Sequence, residues 1–406
     1  MESRQTGREK IDWASAHTPL LNGIRTSFLD ERPFAGLRVA MSIHLEAKTA
    51  CLAVLLRDGG AKVWVTGSNP LSTQDDIALA LADEENVSVH ARHGVSAEEY
   101  TQHLCEVLQP EPDLILDDGG DLVHLLHTQF TYNLIGGCEE TTTGVARLRE
   151  RAARGELRFP MFAVNDAKLK SLFDNRYGTG QSAWDAILRS TNVLAAGKSV
   201  LVAGYGWCGR GIARRAQGLG SRVTVAEVDP VRALEAWMDG FAVAPIAEAV
   251  GDADILITAT GCEEVVTARV LQHAKDGLLL ANAGHFNVEI SLPALADLSQ
   301  SQRTVRRGVV EYRFPDGRRI YLLGEGRLVN LALGDGHPIE IMDLSFAVQA
   351  LTLRHLAKSG PFEPGVHPVP HTIDVHVARR KLESLGVSID TLTPRQRAYL
   401  GRVDDS

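Results

Sequence analysis

The chain has 406 residues, 44 % hydrophobic and 23 % charged, with a net charge of −9. This is a globular composition with room for two cores, and the acidic balance argues against a nucleic-acid-binding face. No apolar run approaches the ~18 residues of a membrane span, and the polar start "MESRQTGREKIDW" has no secretory apolar region. Five scattered cysteines without a C-x-x-C pair predict reduced thiols in a cytoplasmic protein, with no metal centre.

Short β-branched runs alternate with longer helical patterns, which predicts an α/β protein with parallel sheets covered by helices on both faces. Strands are expected at 37–43 "LRVAMSI", 62–67 "KVWVTG", 113–117 "DLILD" and 161–164 "MFAV". A second series follows at 199–204 "SVLVAG", 222–227 "RVTVAE", 255–260 "ILITAT" and 277–283 "GLLLANA". Two series imply two doubly wound domains, 1–178 and 179–339, with the boundary near Gly178 to Ser182. From about Val366 a polar tail with "PGVHPVPHT" and a last helical pattern predicts an arm, residues 371–406, that packs on a second subunit.

In open α/β sheets, ligands gather beyond the carboxyl ends of the strands. In the first half "HLE" follows "VAMSI", "DDGGD" follows "LIL" and "ND" follows "FAV", so three polar clusters point to one crevice. In the second half Gly204, Gly206 and Gly209 have G-x-G-x-x-G spacing between a strand and a helix. The first glycine suits a tight turn, the second a close approach to a pyrophosphate, and the third helix packing. The next strand ends in Glu227, whose carboxylate can hold a ribose 2′-hydroxyl and repels a 2′-phosphate, so the cofactor expected is NAD. Arg232 nearby pulls the other way. Cys208 within the loop reads as a small packed residue.

The remaining clusters have bland readings as well. "CEETTTG" (138–144) can be a helix start with a threonine cap. Lys170 and Asp174, four apart in "NDAKLKSLFDN", can be a surface ion pair. "LDDGGDL" (116–122) can be an Asp/Gly turn. Taken together, however, "DDGGD", "EETTTG", "ND…K…FDN", "GYG..G.G", "NAGHF" and "GRLVNL…GHP" occur in the order found in S-adenosylhomocysteine hydrolases. The chain resembles that family from about residue 20 to "YLG" at 399–401.

The resemblance implies that Asp118, Glu140, Lys170, Asp174 and Asn175 surround a ribose, with His44 and His285 near the reacting carbons. It implies cofactor contacts from Thr141, Thr142, Thr143, Asn175, the glycine loop, Glu227, Arg232, Thr260, Asn282 and Asn330. His337 belongs to a hinge that closes over substrate, and Met342 to the substrate pocket. The family fold adds a segment at about 340–370 to the first domain, and the family assembly is a homotetramer. The implied reaction is NAD-dependent thioether hydrolysis by 3′-oxidation, β-elimination, water addition and re-reduction. Lys170 is the expected base, its pKa lowered towards neutrality by burial or cationic neighbours.

Three features depart from the better-known members. Glu46 and Lys48 replace a threonine and a glutamate that read the adenine edge. A lysine cannot accept a hydrogen bond. Hypoxanthine reverses adenine's pattern, so Lys48 can donate to O6 while Glu46 accepts from N1–H. Relatives that share "HLEAKTA" have been linked to S-inosylhomocysteine. The bland reading is that the two residues pair with each other and adenine still binds. Thr179 and Asn287 replace a cysteine and an aspartate, and the sequence lacks the basic, Tyr-containing tail of longer members, which suggests weaker cofactor retention. A dehydratase that stops after elimination would share nearly all these residues. A non-catalytic nucleoside-binding regulator would not need the intact set of acids and bases, and a simple dehydrogenase would release NADH.

Overall fold

The computed structural model describes residues 2–401. In chain order the strands are β1 (Arg38–Ser42), β2 (Lys62–Thr66), β3 (Val87–Val89), β4 (Leu114–Asp117), β5 (Gly136–Glu139) and β6 (Pro160–Ala163). Then come β7 (Ser199–Ala203), β8 (Arg222–Ala226), β9 (Ala242–Val243), β10 (Ile255–Thr258) and β11 (Leu278–Asn282). An antiparallel set follows, β12 (Ser301–Arg306), β13 (Val309–Arg313) and β14 (Arg319–Leu323), and last β15 (Gly365–Pro368). All eight strands expected from the sequence are present.

The first sheet is parallel, in the order β15-β6-β5-β4-β1-β2-β3. The second runs β12-β13-β14-β11-β10-β7-β8-β9. It is mixed rather than wholly parallel, because the β12–β14 meander adds to its edge. Strand order reverses between β4 and β1 in one sheet and between β10 and β7 in the other. Those reversals open the crevices in which α/β folds bind ligands.

The chain goes out and comes back. Helix Ile339–Ser359 returns from the second sheet to the first, where Leu344, Phe346, Ala347 and Leu353 join its apolar core. β15 then pairs with β6 in parallel register. Helix His371–Ser384, expected to belong to an arm that packs on a second subunit, docks on its own chain. Its Asp374 accepts from the backbone N–H groups of Lys168 and Leu169, Val377 is buried, and Lys381 pairs with Asp343 at 3.1 Å. Exposed apolar side chains begin only beyond it, at Leu385, Val387, Ile389 and Leu392. Residues 402–406 of the expected arm lie outside the described residues.

Asp343 fastens this return. Its side chain is fully buried and accepts from the Leu20 and Leu21 amides at 3.3 and 3.0 Å, besides the Lys381 ammonium. Replacing it with alanine strands two N–H groups and a lysine. Asp343→Ala should therefore cost about 3 kcal/mol of unfolding free energy, read as a lower midpoint in urea at unchanged slope.

Candidate active site

The first sheet places its carboxylates by register. Ser42, Asp117, Glu139 and Ala163 stand side by side at the ends of β1, β4, β5 and β6. The residues just past them are His44, Asp118, Glu140 and the turn Val164–Asp166. Four loops thus open on one side.

His44 Nδ1 lies 2.8 Å from Ser72 Oγ and 3.1 Å from Ser68 Oγ, while Nε2 is 3.3 Å from Asp118 Oδ2. The Ser72 hydroxyl donates to the Asn69 carbonyl and the Ser68 hydroxyl to Asp118 Oδ2. The neutral ring carries one proton for two polar neighbourhoods, the serine hydroxyls at Nδ1 and the Asp118 carboxylate at Nε2. Burial pulls the His44 pKa down to about 4 against the pull of Asp118, so the ring is neutral at physiological pH. Burial works to raise Asp118, but His44, His285, the Ser68 hydroxyl and the Lys170 ammonium outweigh it and hold the acid below its usual range. His285 completes the group, its ring 5.6 Å from that of His44 and its Nε2 buried without a hydrogen-bond partner. Gly119 makes this possible. Its φ is +117°, and a Cβ there would lie 2.5 Å from His285 Nε2.

After β6, Lys168–Lys170 runs into a π-helical stretch, Ser171–Gly178. The wider turn brings residue i+5 as well as i+4 towards Lys170. Its Nζ donates to Asp174 Oδ1 at 3.0 Å and Asn175 Oδ1 at 2.9 Å, with Glu140 3.8 Å away. All four side chains are buried, so the pair is not the surface contact it can resemble in sequence. Burial alone would depress Lys170, but Asp174 and Glu140 outweigh it and hold the lysine above its ordinary value. That reverses the expected direction, because the ammonium faces carboxylates. Burial drives Glu140 well above the usual carboxylate range, with Asp174 and Asp118 adding and Lys170 opposing. Asp174 goes the other way, its burial outweighed by Lys170 and by His337, whose Nδ1 is 3.3 Å away.

From the second sheet, Gly204 ends β7 with φ +96°, and Gly206 precedes helix Trp207–Gly218. A Cβ on Gly209 would lie 2.0 Å from the Gly204 carbonyl oxygen, so this glycine lets helix and strand meet. Glu227 accepts from the Tyr205, Val228 and Asp229 amides at 2.7, 2.7 and 3.1 Å. Arg232 lies close to Gly206 at the same rim. Thr260 donates to Glu289 through both N–H and hydroxyl. Asn330 donates to Ser182 Oγ and keeps a buried Oδ1 without a partner.

A cavity of ≈ 1270 Å³ joins both halves. It is bordered by His44, Glu46, Asp118, Glu140, Thr141, Thr142, Thr143, Lys170, Asp174, Asn175 and His285, and by Gly204, Gly206, Glu227, Arg232, Thr260, Asn330, His337 and Met342. Thr141 also caps helix Thr142–Ala153, its hydroxyl accepting from Gly144 N–H, so the bland and the ligand-facing readings coexist in one residue.

Asn282 is a correction, since it does not border the cavity. Its amide donates to the Phe286 and Gly326 carbonyls, with the Gly284 carbonyl 3.2 Å from the same nitrogen, and its oxygen accepts from Thr258 Oγ1 and Gly284 N–H. It shapes the loop that carries His285. Lys48 is not at the surface of the cavity either. Its Nζ lies 2.6 Å from Glu46 Oε2 and beside Gly336, both of which border the cavity.

Glu139 has no place in the sequence reading. One of its oxygens accepts from Gly119 N–H, Thr141 N–H and Thr141 Oγ1, each at 2.9 Å, and so ties the loop of Asp118 to that of Glu140. A Cβ on Gly144 would clash with this carboxyl at 2.1 Å. The doubled acid in "EETTTG" was its one visible sign. Ser68 and Ser72 had none, because isolated serines in a loop carry no pattern.

The residues at the second sheet fit a dinucleotide: a glycine loop open to close approach, a strand-end carboxylate, and an orphaned amide oxygen at Asn330. The NAD-binding-domain model of S-adenosyl-L-homocysteine hydrolase matches residues 175–336, and the S-adenosyl-L-homocysteine hydrolase model matches 1–135. The chain is 55 % identical to the S-inosyl-L-homocysteine hydrolase of Methanopyrus kandleri over 97 % of this chain and 94 % of that one. It is equally 55 % identical to the adenosylhomocysteinase of Thermotoga maritima, over 97 % and 98 %. With both halves matched and the relatives aligned nearly end to end, the chain belongs to the S-adenosyl-L-homocysteine hydrolase family and binds NAD.

Proposed function

We propose that the protein hydrolyses the thioether of a nucleosyl homocysteine, with S-inosyl-L-homocysteine the preferred substrate, to nucleoside and homocysteine. One observation carries this reading. The Lys170–Asp174–Asn175–Glu140 cluster and the His44–Asp118–His285 cluster border the same cavity as the dinucleotide loop, and one polar atom from each of the latter three lies within 4.8 Å of the others.

The C5′–S bond resists direct attack by water. NAD, held by the glycine loop, Glu227 and Asn330, would supply reversible hydride transfer at C3′, with no net redox over the cycle. The residues handle protons. Lys170, fixed by Asp174 and Asn175, is held at the ribose 3′-hydroxyl: it passes one ammonium proton to the Asp174 carboxylate, takes the hydroxyl proton in its place, and releases that proton to solvent, which leaves the amine free for the next step. A ketone at C3′ makes the C4′–H acidic, since the carbanion is stabilised as an enolate, and the same lysine receives that proton. Glu140, kept neutral by burial, donates a hydrogen bond to the ribose hydroxyls. On the far side, neutral His44 draws the proton from water as it adds at C5′, and ionised Asp118 steadies the imidazolium that results. Relatives with hydrolase names cover nearly the whole chain, and nothing favours the dehydratase alternative.

For the base, Lys48 faces Glu46 at the end of the cavity where Gly336 and Met342 lie. An ammonium donates only, which suits O6 of hypoxanthine and opposes the 6-amino group of adenine. The residue roles here, the domain division at 178/179 and the arm are parts of the same proposal. Exposed Leu385, Val387, Ile389 and Leu392 support assembly as a homo-oligomer, a tetramer, through the segment after helix His371–Ser384. Five free cysteines support a cytoplasmic setting.

The NAD-loaded protein, given each nucleosyl homocysteine, should release free thiol and nucleoside, faster from the inosyl substrate. Thiol from neither would overturn the hydrolase reading. Lys170→Met should lower kcat by about 10³-fold while NAD stays bound, read by thiol release and by the nicotinamide content of the purified variant. Lys48→Glu should move the ratio of kcat/KM values towards the adenosyl substrate by about 10-fold or more. An unchanged ratio would return Glu46 and Lys48 to a purely structural pair.

A further inference from the structure

The segment Leu333–Pro338 is the strap by which the chain leaves the second sheet and re-enters the first through helix Ile339–Ser359. Three consecutive residues of it reach three different things. The Asp335 carbonyl accepts from Lys48 Nζ at 2.6 Å. Gly336, at φ +74°, borders the cavity. His337 lies 3.3 Å from Asp174, the residue that holds Lys170, and its Nε2 is 3.2 Å from Thr179 Oγ1.

Lys48 is therefore more than a partner for Glu46. Its side chain is 5 % exposed, and two of its three N–H bonds go to Glu46 Oε2 and the Asp335 carbonyl, both at 2.6 Å. Other ties on the strap near this point are weaker. The Asp335 carboxylate meets Arg189 at 2.9 Å, but both side chains are more than half exposed, and such pairs contribute little. Gln74 reaches the same carboxylate only at 3.5 Å. Gly336 N–H donates to Asn330 O, which holds the strap to the second half and not to the first.

We infer that Lys48 is a positioning residue for the strap as well as the reader of the base, so that the group at the purine 6-position and the Asp335 carbonyl are held by one ammonium. This rests on the proposed reading of the base end. An acceptor at the 6-position takes the third N–H and leaves the Asp335 bond intact. A donor there turns the ammonium away and loosens the strap, and with it His337 and Asp174. Discrimination between bases then appears in kcat, through the alignment of Lys170, and not only in KM.

The experiment is hydrogen exchange of the strap amides in the NAD-loaded protein, at saturating inosine, adenosine or purine riboside, in wild type and Lys48→Met. Inosine should slow strap exchange about 10-fold more than purine riboside does in wild type, and this difference should vanish in Lys48→Met. Lys48→Met should also lower kcat more than it raises KM, with partial rescue in Lys48→Arg. Should the methionine variant fail to fold, Lys48→Gln, which keeps one donor group, serves the same comparison. Equal protection of the strap in the variant and wild type would overturn the inference. A Lys48-dependent protection that is stronger with adenosine than with inosine supports the positioning role and overturns the choice of base, so the two failures are distinct.

Discussion

Lys170 carries a charge removed from water, and burying an ammonium costs several kcal/mol unless counter-charge and acceptors are buried with it. Here the compensation comes from Asp174 and Asn175 on the same π-helical stretch and from Glu140 on the neighbouring loop. Each supporter has support of its own. Asp174 accepts from Ser345 on the returning helix and meets His337 on the strap. Asn175 donates to Asn165 at the end of β6. The cluster can exist only if the first sheet, the strap and the helix beyond it are all in place, so the out-and-back route of the chain and the chemistry of the site have the same cause.

The two clusters divide the acid–base work by environment. Around Lys170, carboxylates outnumber cations, so the lysine is kept protonated and Glu140 neutral. Around His44, burial dominates and the imidazole stays neutral. One region therefore begins with a proton to pass on, and the other with a place to put one. A reaction in which a proton leaves C4′ on one side and water enters at C5′ on the other needs that asymmetry.

Much of this was legible in sequence because it depends on local pattern. β-Branched runs marked eight strands, and the glycine spacing at 204, 206 and 209 marked the dinucleotide loop. β5 escaped notice because it begins Gly136-Gly137, against strand propensity. Both glycines are forced by packing: a Cβ at Gly137 would meet Ile115 Cγ1 at 2.4 Å. β12 (SQRTVR) and the short β15 (GVHP) carry arginines or proline in place of an apolar alternation. What sequence could not convey was the balance of charge. Lys170 and Asp174 at i, i+4 look alike whether solvated or buried, and only burial among carboxylates sets the direction of the lysine's shift. Asn282 misled for the converse reason, since its place in a motif says nothing of whether its amide is already spent.

Glu46 and Lys48 show why a change of substrate at this site involves a pair of positions. Glu46 caps helix Ala47–Asp58 by accepting from the Lys48 and Thr49 amides, and its Oε2 takes the Lys48 ammonium as well. An uncompensated lysine at 48 would leave a buried cation with one carbonyl for company, and an uncompensated glutamate at 46 would leave a buried anion on a helix N-terminus. The helix end stabilises the anion in part, whereas the cation relies on Glu46 and the Asp335 carbonyl. A lysine at position 48 therefore depends on an acid at 46 and on the strap passing close by. The edge of the cavity at Glu46 and Gly336 and the strap between its two halves meet at the Lys48 side chain.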